Sequence, residues 1–491
     1  MRYETIIGLE VHTQLLTRSK MFCRCSAEYA DAPPNTHVCP VCLGMPGVLP
    51  VINARAIELA ALTALALNCQ IPAHNKFDRK NYIYPDLPKG YQISQYDLPL
   101  SRHGWLEFAV DGQVRRCGIT RVHIEEDTGR LLHRVDAAGQ PYSLVDFNRS
   151  GVPLLEIVAE PDLRTPAEAG AYLRALRQTL RYIGVSTGNM EEGSFRCDAN
   201  VSIRPAGSSE FGPKVEIKNL NSFRAVERAI EYEARRQQEV LEAGGRLVQE
   251  TRGWVDEQGV TAAQRTKEYA HDYRYFPEPD LPPLALSEAW VAAVRARLPE
   301  LPAERYRRFV EQYRLSPADA ALLTEQRGTA DYYEQVVRLG AHPDRARLAA
   351  NWINNELRTR ATDANAPITQ VGLAPERLHE LLELIENGTI TAKAAREQVL
   401  PALLARDEPP RAIVDRLGLA QVSDEAALRG LIRQIIADHP QPVADYCRGK
   451  EVAAKALVGP LMKATRGSAN PQVANAILIE ELKAHCASRS T

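Results

Sequence analysis

The chain has no apolar run long enough to span a bilayer, which excludes a helical membrane protein. No basic-then-apolar signal peptide precedes the first strand-like run, so a cytoplasmic protein is expected. There is no Gly-x-x-x-x-Gly-Lys-Ser/Thr loop, and a P-loop nucleotide site is therefore unsupported. A Gly-x-Ser-x-Gly elbow is also missing, as is any glycine-flanked serine or cysteine nucleophile of the kind an amidase uses. The formal net charge is only −2, so any nucleic-acid binding must come from local basic patches. Nine cysteines are too few for a disulfide scaffold in 491 residues.

What is present is the composition of a globular protein, 45% apolar and 25% charged, at a length that predicts two to four domains. Residues 1–292 hold short strand-like runs rich in Gly and Pro, such as Arg121–Glu125, Ser143–Phe147, Leu154–Val158 and Asp198–Ile203. Two helices interrupt them. One runs from Pro166 to about Tyr182 behind the N-cap Thr165, and one from Ser222 to about Ala243 before the Gly244-Gly245 stop. This mixture predicts an α+β domain built on an antiparallel sheet. The Pro-rich stretch Phe276–Pro283 leads to a boundary. Beyond it, residues 293–410 carry amphipathic helical patterns such as Arg377–Ile385. The break Asp407-Glu408-Pro409-Pro410 then opens a mostly helical tail, 411–491.

Four of the cysteines cluster. Cys23-Arg24-Cys25 is followed by Cys39-Pro40-Val41-Cys42, two close pairs a short loop apart, which suits tetrahedral zinc because each pair offers two thiolates from one tight turn. Four protein thiolates leave no open coordination position, so this zinc is structural. Four unrelated buried thiols are the alternative, which the pairing disfavours. Cys69, Cys117, Cys197, Cys447 and Cys486 read as isolated small hydrophobes.

Thr5–Gln14 alternates as a strand, so Glu10, His12 and Gln14 share one face. By itself a solvated face explains them. The same spacing recurs, however, in His123 and Glu125 (with Asp127 following), in Asp198 and Asn200, and in Glu216 and Lys218. If these faces converge, they form an acidic surface able to hold divalent cations and, through them, nucleotide phosphates. Arg149, Arg196 and Lys218 are interspersed, and cations beside an acidic metal site suit phosphoryl transfer.

Long motifs carry a family resemblance. Gly8–His12, Cys39–Gly47, Lys80–Gln92, Ile124–Gly129, Asp146–Gly151, Phe195–Ser202, Glu216–Ser222 and the tail segment Pro460–Pro471 resemble the B subunits of the bacterial aspartyl/glutamyl-tRNA amidotransferases. The resemblance runs over nearly the whole chain. It implies a cradle domain similar to the glutamine synthetase catalytic fold, then an all-α helical domain and a small α-helical tail. It further implies Mg²⁺ and ATP in the cradle. The reaction it implies is phosphorylation of the side-chain carboxylate of Glu on mischarged tRNA(Gln), or of Asp on tRNA(Asn), followed by displacement of phosphate by ammonia. The implied partners are an amidase-type A subunit that supplies ammonia through a channel, a small C subunit, the mischarged tRNA and a mischarging aminoacyl-tRNA synthetase.

Carried over by motif, the metal residues are Glu10, His12 and Glu125, with Asp198 and Glu216 as further catalytic carboxylates. Arg149, Arg196 and Lys218 become the phosphate or substrate contacts. Lys80, Asp86 and Lys89 either line the ammonia path or belong to an ordinary Pro/Gly-rich surface loop, and the two readings stay level. In the tail, Arg448, Lys450, Lys455, Lys463 and Arg466 form a basic run that suits tRNA phosphates at a position where the family touches tRNA. The competing reading is a catalytically silent tRNA-binding scaffold of the same descent. A stand-alone ligase using free ammonia is a third.

Overall fold

Alternation along the first motif gives the strand β1 (Tyr3–Gln14), which lies inside one large sheet. Its seven companions are β5 (Ser101–Val110), β6 (Gln113–Glu126), β9 (Pro153–Ala159), β10 (Phe195–Pro205), β11 (Val215–Leu220), β12 (Glu250–Val255) and β13 (Val260–Thr266). Their order across the sheet is β13-β12-β11-β10-β1-β9-β6-β5. The minor strands are β2 (His74–Asn75), β3 (Asp78–Asn81), β4 (Tyr91–Ser94), β7 (Arg130–Val135), β8 (Pro141–Asp146), β14 (Phe276–Pro277) and β15 (Leu284–Ala285). They form small sheets β14-β3-β4 and β15-β2 and the hairpin β7-β8. The computed structural model describes residues 2–266, 270–421, 425–465 and 471–488.

The α+β class holds, with one correction: the large sheet is mixed, because β11 and β12 pair in parallel. A parallel pair needs a crossover rather than a tight turn, and the helix α3 (Phe223–Glu242) between these two strands supplies it. Two more helices, α1 (Ala54–Ala66) and α2 (Pro166–Tyr182), join α3 in the core of this part of the chain. The Thr165 hydroxyl caps α2 by accepting from the Glu168 N–H at 3.1 Å, with Pro166 in the first turn. The Ser222 hydroxyl caps α3 in the same way, and Gly244, at φ +77°, ends it.

Residues of α1–α3 share one hydrophobic core with Ile7, Leu9 and Val11 of β1, Val122 and Ile124 of β6, Leu155 and Ile157 of β9, and Ala199 and Val201 of β10. Because side chains alternate across a strand, the polar positions between these residues line the opposite face of the sheet. Burial of one face therefore fixes the register that collects the polar residues on the other.

The chain divides into two compact units, residues 1–305 and 306–491. The second is helical and holds two separate cores, one running from Phe309 to Val414 and one from Leu428 to Leu482. In the last of these, Cys447 and Cys486 are joined by a disulfide, with Cα atoms 5.3 Å apart and a separation of 39 positions in sequence. This corrects the reading of both as isolated thiols. The helices Pro440–Cys447 and Pro471–Ser488 pack together and bring the two sulfurs into reach. Closing a loop of this length stabilises by roughly 4 kcal/mol in the chain-entropy account. The Cys447→Ser chain is therefore expected to show faster amide hydrogen exchange in Pro471–Ser488 than the oxidised wild type. Equal rates in the two would contradict this.

Candidate active site

Strand register assembles a polar row across four adjacent strands. His123 of β6 lies opposite Glu156 of β9, Glu156 opposite His12 of β1, and His12 opposite Arg196 of β10. A bulge in β6 between Ile119 and Arg121 inserts one residue, which sets the register beyond it and brings His123 into the row.

The row closes on Glu156. The His12 Nε2 atom is 3.4 Å and the His123 Nε2 atom 3.3 Å from the same carboxylate oxygen, Oε2. His123 Nε2 also lies 3.4 Å from Glu125 Oε1. Glu125 is held from the other side by the Ser94 hydroxyl at 2.7 Å and the Gln92 amide at 3.1 Å, with the Lys80 ammonium 3.8 Å away. One ligand atom from each of His12, Glu125 and Glu156 falls within 4.8 Å of the others.

Burial pushes the Glu156 carboxyl up, but the two imidazoles beside it outweigh burial and hold it well below the usual carboxylate range. Burial also opposes ionisation of Glu125, and there Lys80 prevails and brings it to about 2. His12 and His123 are raised: burial acts against their protonation, and the charge of Glu156 overcomes it. The site thus presents ionised carboxylates in a largely water-excluded setting, the donor chemistry of a divalent-cation site.

Glu10 does not join this triple. It accepts a hydrogen bond from the Asn200 amide at 2.8 Å and lies opposite Asp198. Asp198 in turn pairs with the Lys218 ammonium at 2.6 Å, and Lys218 reaches Glu216 at 3.3 Å. Thr251 donates to the far oxygen of Glu216 at 3.0 Å. Glu10, Asp198, Glu216 and Lys218 form a second acidic group, one pleat along the same face, with a resident cation.

The arginines differ from each other. Arg149 donates to the Thr128 and Gly129 carbonyls at 2.9 and 2.6 Å, and lies 3.7 Å from Asp127. Arg196 pairs with Asp127 at 3.0 Å, yet its side chain stays 37% exposed on the polar face. Asp127 is itself fixed by the Gln14 amide at 2.7 Å. Arg196 is therefore oriented and still open to an anionic ligand, whereas Arg149 is used to tie the loop after β6.

The thiols of Cys23, Cys25, Cys39 and Cys42 converge, one sulfur from each within 4.8 Å of the others. Cys42 is held down to about 4, first by the hydrogen bond from Cys23, then by the Cys39 N–H and the Lys20 ammonium, against burial. Lys20 is fully buried, its Nζ 3.6 Å from Cys42 Sγ and 3.2 Å from the Phe147 carbonyl. Lys89 pairs with the buried Glu126, and both line a cavity of about 230 Å³ that also borders Cys23 and Cys42. Asp86 is half-buried, and its backbone carbonyl accepts from the Gly129 N–H at 2.8 Å. In the tail, Arg448, Lys450, Lys455 and Lys463 are all exposed, whereas Arg466 lies outside the described residues.

Sequence reasoning overlooked Glu156. Its signal was present: a single acid inside Leu154-Leu155-Glu156-Ile157-Val158, a run apolar enough for a strand buried on both faces. Lys20, Gln92 and Ser94 were also passed over, and no local pattern distinguishes them.

Comparison with known proteins gives the family. Residues 5–292 match the model of the GatB/GatE catalytic domain, and residues 331–482 match that of the GatB domain. The chain is 58% identical to the aspartyl/glutamyl-tRNA(Asn/Gln) amidotransferase B subunit of Thermomicrobium roseum, over 98% of this chain and 99% of that protein. It is 53% identical to the protein of the same name from Carboxydothermus hydrogenoformans, over 98% and 99%. The corresponding Brevibacillus brevis protein is 51% identical, again over 98% and 99%. A mixed sheet that collects buried acids and imidazoles on one face, matched over its length to such relatives, gives one conclusion: the chain belongs to the family of aspartyl/glutamyl-tRNA(Asn/Gln) amidotransferase B subunits.

Proposed function

We propose that the polar face of the large sheet phosphorylates the side-chain carboxylate of Glu on mischarged tRNA(Gln), or of Asp on tRNA(Asn), at the expense of ATP. Ammonia then displaces phosphate to give the amide. The observation that carries this reading is the row His123–Glu156–His12–Arg196 with Glu125 beside it. It sets two buried carboxylates and two imidazoles next to a partly exposed guanidinium, the pairing of ion-holding and phosphate-holding groups that phosphoryl transfer needs.

His12, Glu125 and Glu156 would hold Mg²⁺, and the converging donor atoms fit a divalent ion. When bound, the ion neutralises phosphate charge as a Lewis acid. The residues of the chain do the rest. Arg196, braced by Asp127, faces the polar surface where a phosphate would lie. Lys218 offers a second cation among Glu10, Asp198 and Glu216. Glu10 belongs to this second acidic group in the same reading, a carboxylate for the phosphate-bound end of the site. Arg149 acts through the loop it ties down.

Cys23, Cys25, Cys39 and Cys42 would hold a structural zinc, a closed four-thiolate set. Lys80, Asp86 and Lys89 are placed in this reading along the path of incoming ammonia. Lys80 at Glu125 and Lys89 at the cavity wall support it.

The first unit serves as a cradle similar to the glutamine synthetase catalytic domain, supported by a helix-backed sheet with one polar face. The division into 1–292, 293–410 and 411–491 is part of this proposal, and the two separate cores of the second unit support it. The chain works in the cytoplasm with an amidase-type A subunit, a small C subunit and a mischarging synthetase. No helix among the described residues is long and apolar enough to cross a membrane.

Reversal of the exposed tail lysines Lys450, Lys455 and Lys463 to Glu tests the tRNA part. Affinity for mischarged tRNA should fall at least tenfold, with the salt dependence reduced by about 0.7–0.9 for each phosphate no longer neutralised. Metal and ATP binding should be unchanged. Undiminished tRNA affinity would remove the tail from the interface.

A further inference from the structure

His123 is buried beside the candidate metal residues without being one of the three whose donor atoms converge. Its Nδ1 atom has no hydrogen-bond partner among the described residues. All of its polar capacity is therefore directed through Nε2 at Glu125, 3.4 Å away, and Glu156, 3.3 Å away. Glu125 has other supports in Ser94 and Gln92. The side-chain contacts of Glu156 are to the two imidazoles, His12 and His123. If His12 gives Nε2, the atom now facing Glu156, to an ion, His123 is the remaining side chain among the described residues that fixes this carboxylate.

Resting on the divalent-cation site proposed above, we propose that His123 is a positioning residue whose Nε2 bridges Glu125 and Glu156 and presets their spacing for the ion. It does not itself ligate. Two ionised carboxylates in a buried site repel each other, and a shared donor between them removes both that repulsion and the freedom of each side chain. Partners of this kind orient first-shell ligands, and their loss lowers metal affinity about 10–100-fold. The β6 bulge gains a purpose in this light, since it sets the register that places His123 opposite Glu156.

Binding of Mn²⁺ to the full chain in its complex, without ATP or tRNA, tests this by titration calorimetry and pulsed electron paramagnetic resonance. His123→Leu should bind Mn²⁺ about 10–100-fold more weakly than wild type. His123→Gln keeps an N–H donor near the Nε2 position and should recover most of that loss. The histidine-nitrogen coupling to Mn²⁺ should persist in His123→Gln and vanish in His12→Ala. Three outcomes overturn the proposal: wild-type affinity in His123→Leu, no recovery in His123→Gln, or loss of the nitrogen coupling in His123→Gln. A merely structural role would leave the coupling and the recovery unordered in this way. If His123→Leu does not fold, the glutamine variant and the coupling decide. A wild-type complex that takes up no Mn²⁺ overturns the metal reading itself, and with it this one.

Discussion

Glu156→Gln is expected to lower ATP turnover driven by mischarged tRNA by about 10²–10³-fold in kcat, because the lost charge stabilisation is worth several kcal/mol. The substitution keeps the volume of the side chain, so the strand and its buried surroundings survive. What it removes is the charge to which both imidazoles and the candidate ion answer. In the wild type, burial pushes this carboxyl up, and His12 and His123 outweigh burial and hold it below the usual carboxylate range. A neutral amide breaks that balance, because it removes the charge that raises both imidazoles and leaves burial to push them down. Glu125→Ala should lose activity to a similar degree, but for a different reason: it strips Lys80, Ser94 and His123 of a common acceptor. In both variants tRNA affinity should stay within about twofold of wild type, since the basic tail residues are untouched. A Glu156→Gln enzyme of normal kcat would remove the row from the chemistry.

The second large effect is expected from the thiolate cluster. Metal analysis of purified chain should find one zinc, and its removal by a strong chelator should unfold the segment around residues 20–53 and lower the thermal midpoint of the first unit. Structural zinc contributes roughly 10–16 kcal/mol of binding energy in small peptides at neutral pH, and a loop with little core of its own draws on most of that. Cys42 and its neighbours are such a loop: the Cys39–Cys42 turn is held by the Cys39 N–H to Cys42 Sγ bond at 3.2 Å and by Lys20. Removing the ion leaves a buried ammonium beside thiols that no longer share a metal's charge. Cys42→Ser should mimic the chelator and lose the zinc. Full stability together with zero zinc would contradict this account of the loop.

How much of this was legible in the sequence follows from which interactions are local. The capped helices α2 and α3 were readable because Thr165-Pro166 and Ser222 set their starts within one turn. The face shared by Glu10, His12 and Gln14 was readable because a strand has a period of two. The pairing of those faces was not, since β1 pairs with β9 more than a hundred residues away, and the register between β9 and β6 is set by a one-residue bulge. That is why the motif groups Glu10 with His12 and Glu125, while the fold sets Glu10 beside Asn200 and Asp198 and brings a donor atom of Glu156 together with those of His12 and Glu125. The parallel pair β11–β12 and the Cys447–Cys486 disulfide were hidden for the same reason: both depend on a helix bringing distant segments together. Cysteine pairs close in sequence, by contrast, announce themselves. The buried Lys20 beside them does not, because lysine is the residue type least expected in a core.

In the proposed reaction, the carboxylate on the tRNA-bound amino acid is phosphorylated on this sheet. It can be tested by charging tRNA(Gln) with glutamate carrying ¹⁸O in its side-chain carboxylate, then collecting the phosphate released from ATP by the full complex in the presence of glutamine. Phosphoryl transfer to that carboxylate, followed by displacement with ammonia, carries one ¹⁸O into the phosphate. The account predicts labelled phosphate from wild type and almost none from Glu156→Gln. Phosphate from the wild-type complex that forms with the amide but contains no ¹⁸O would contradict it.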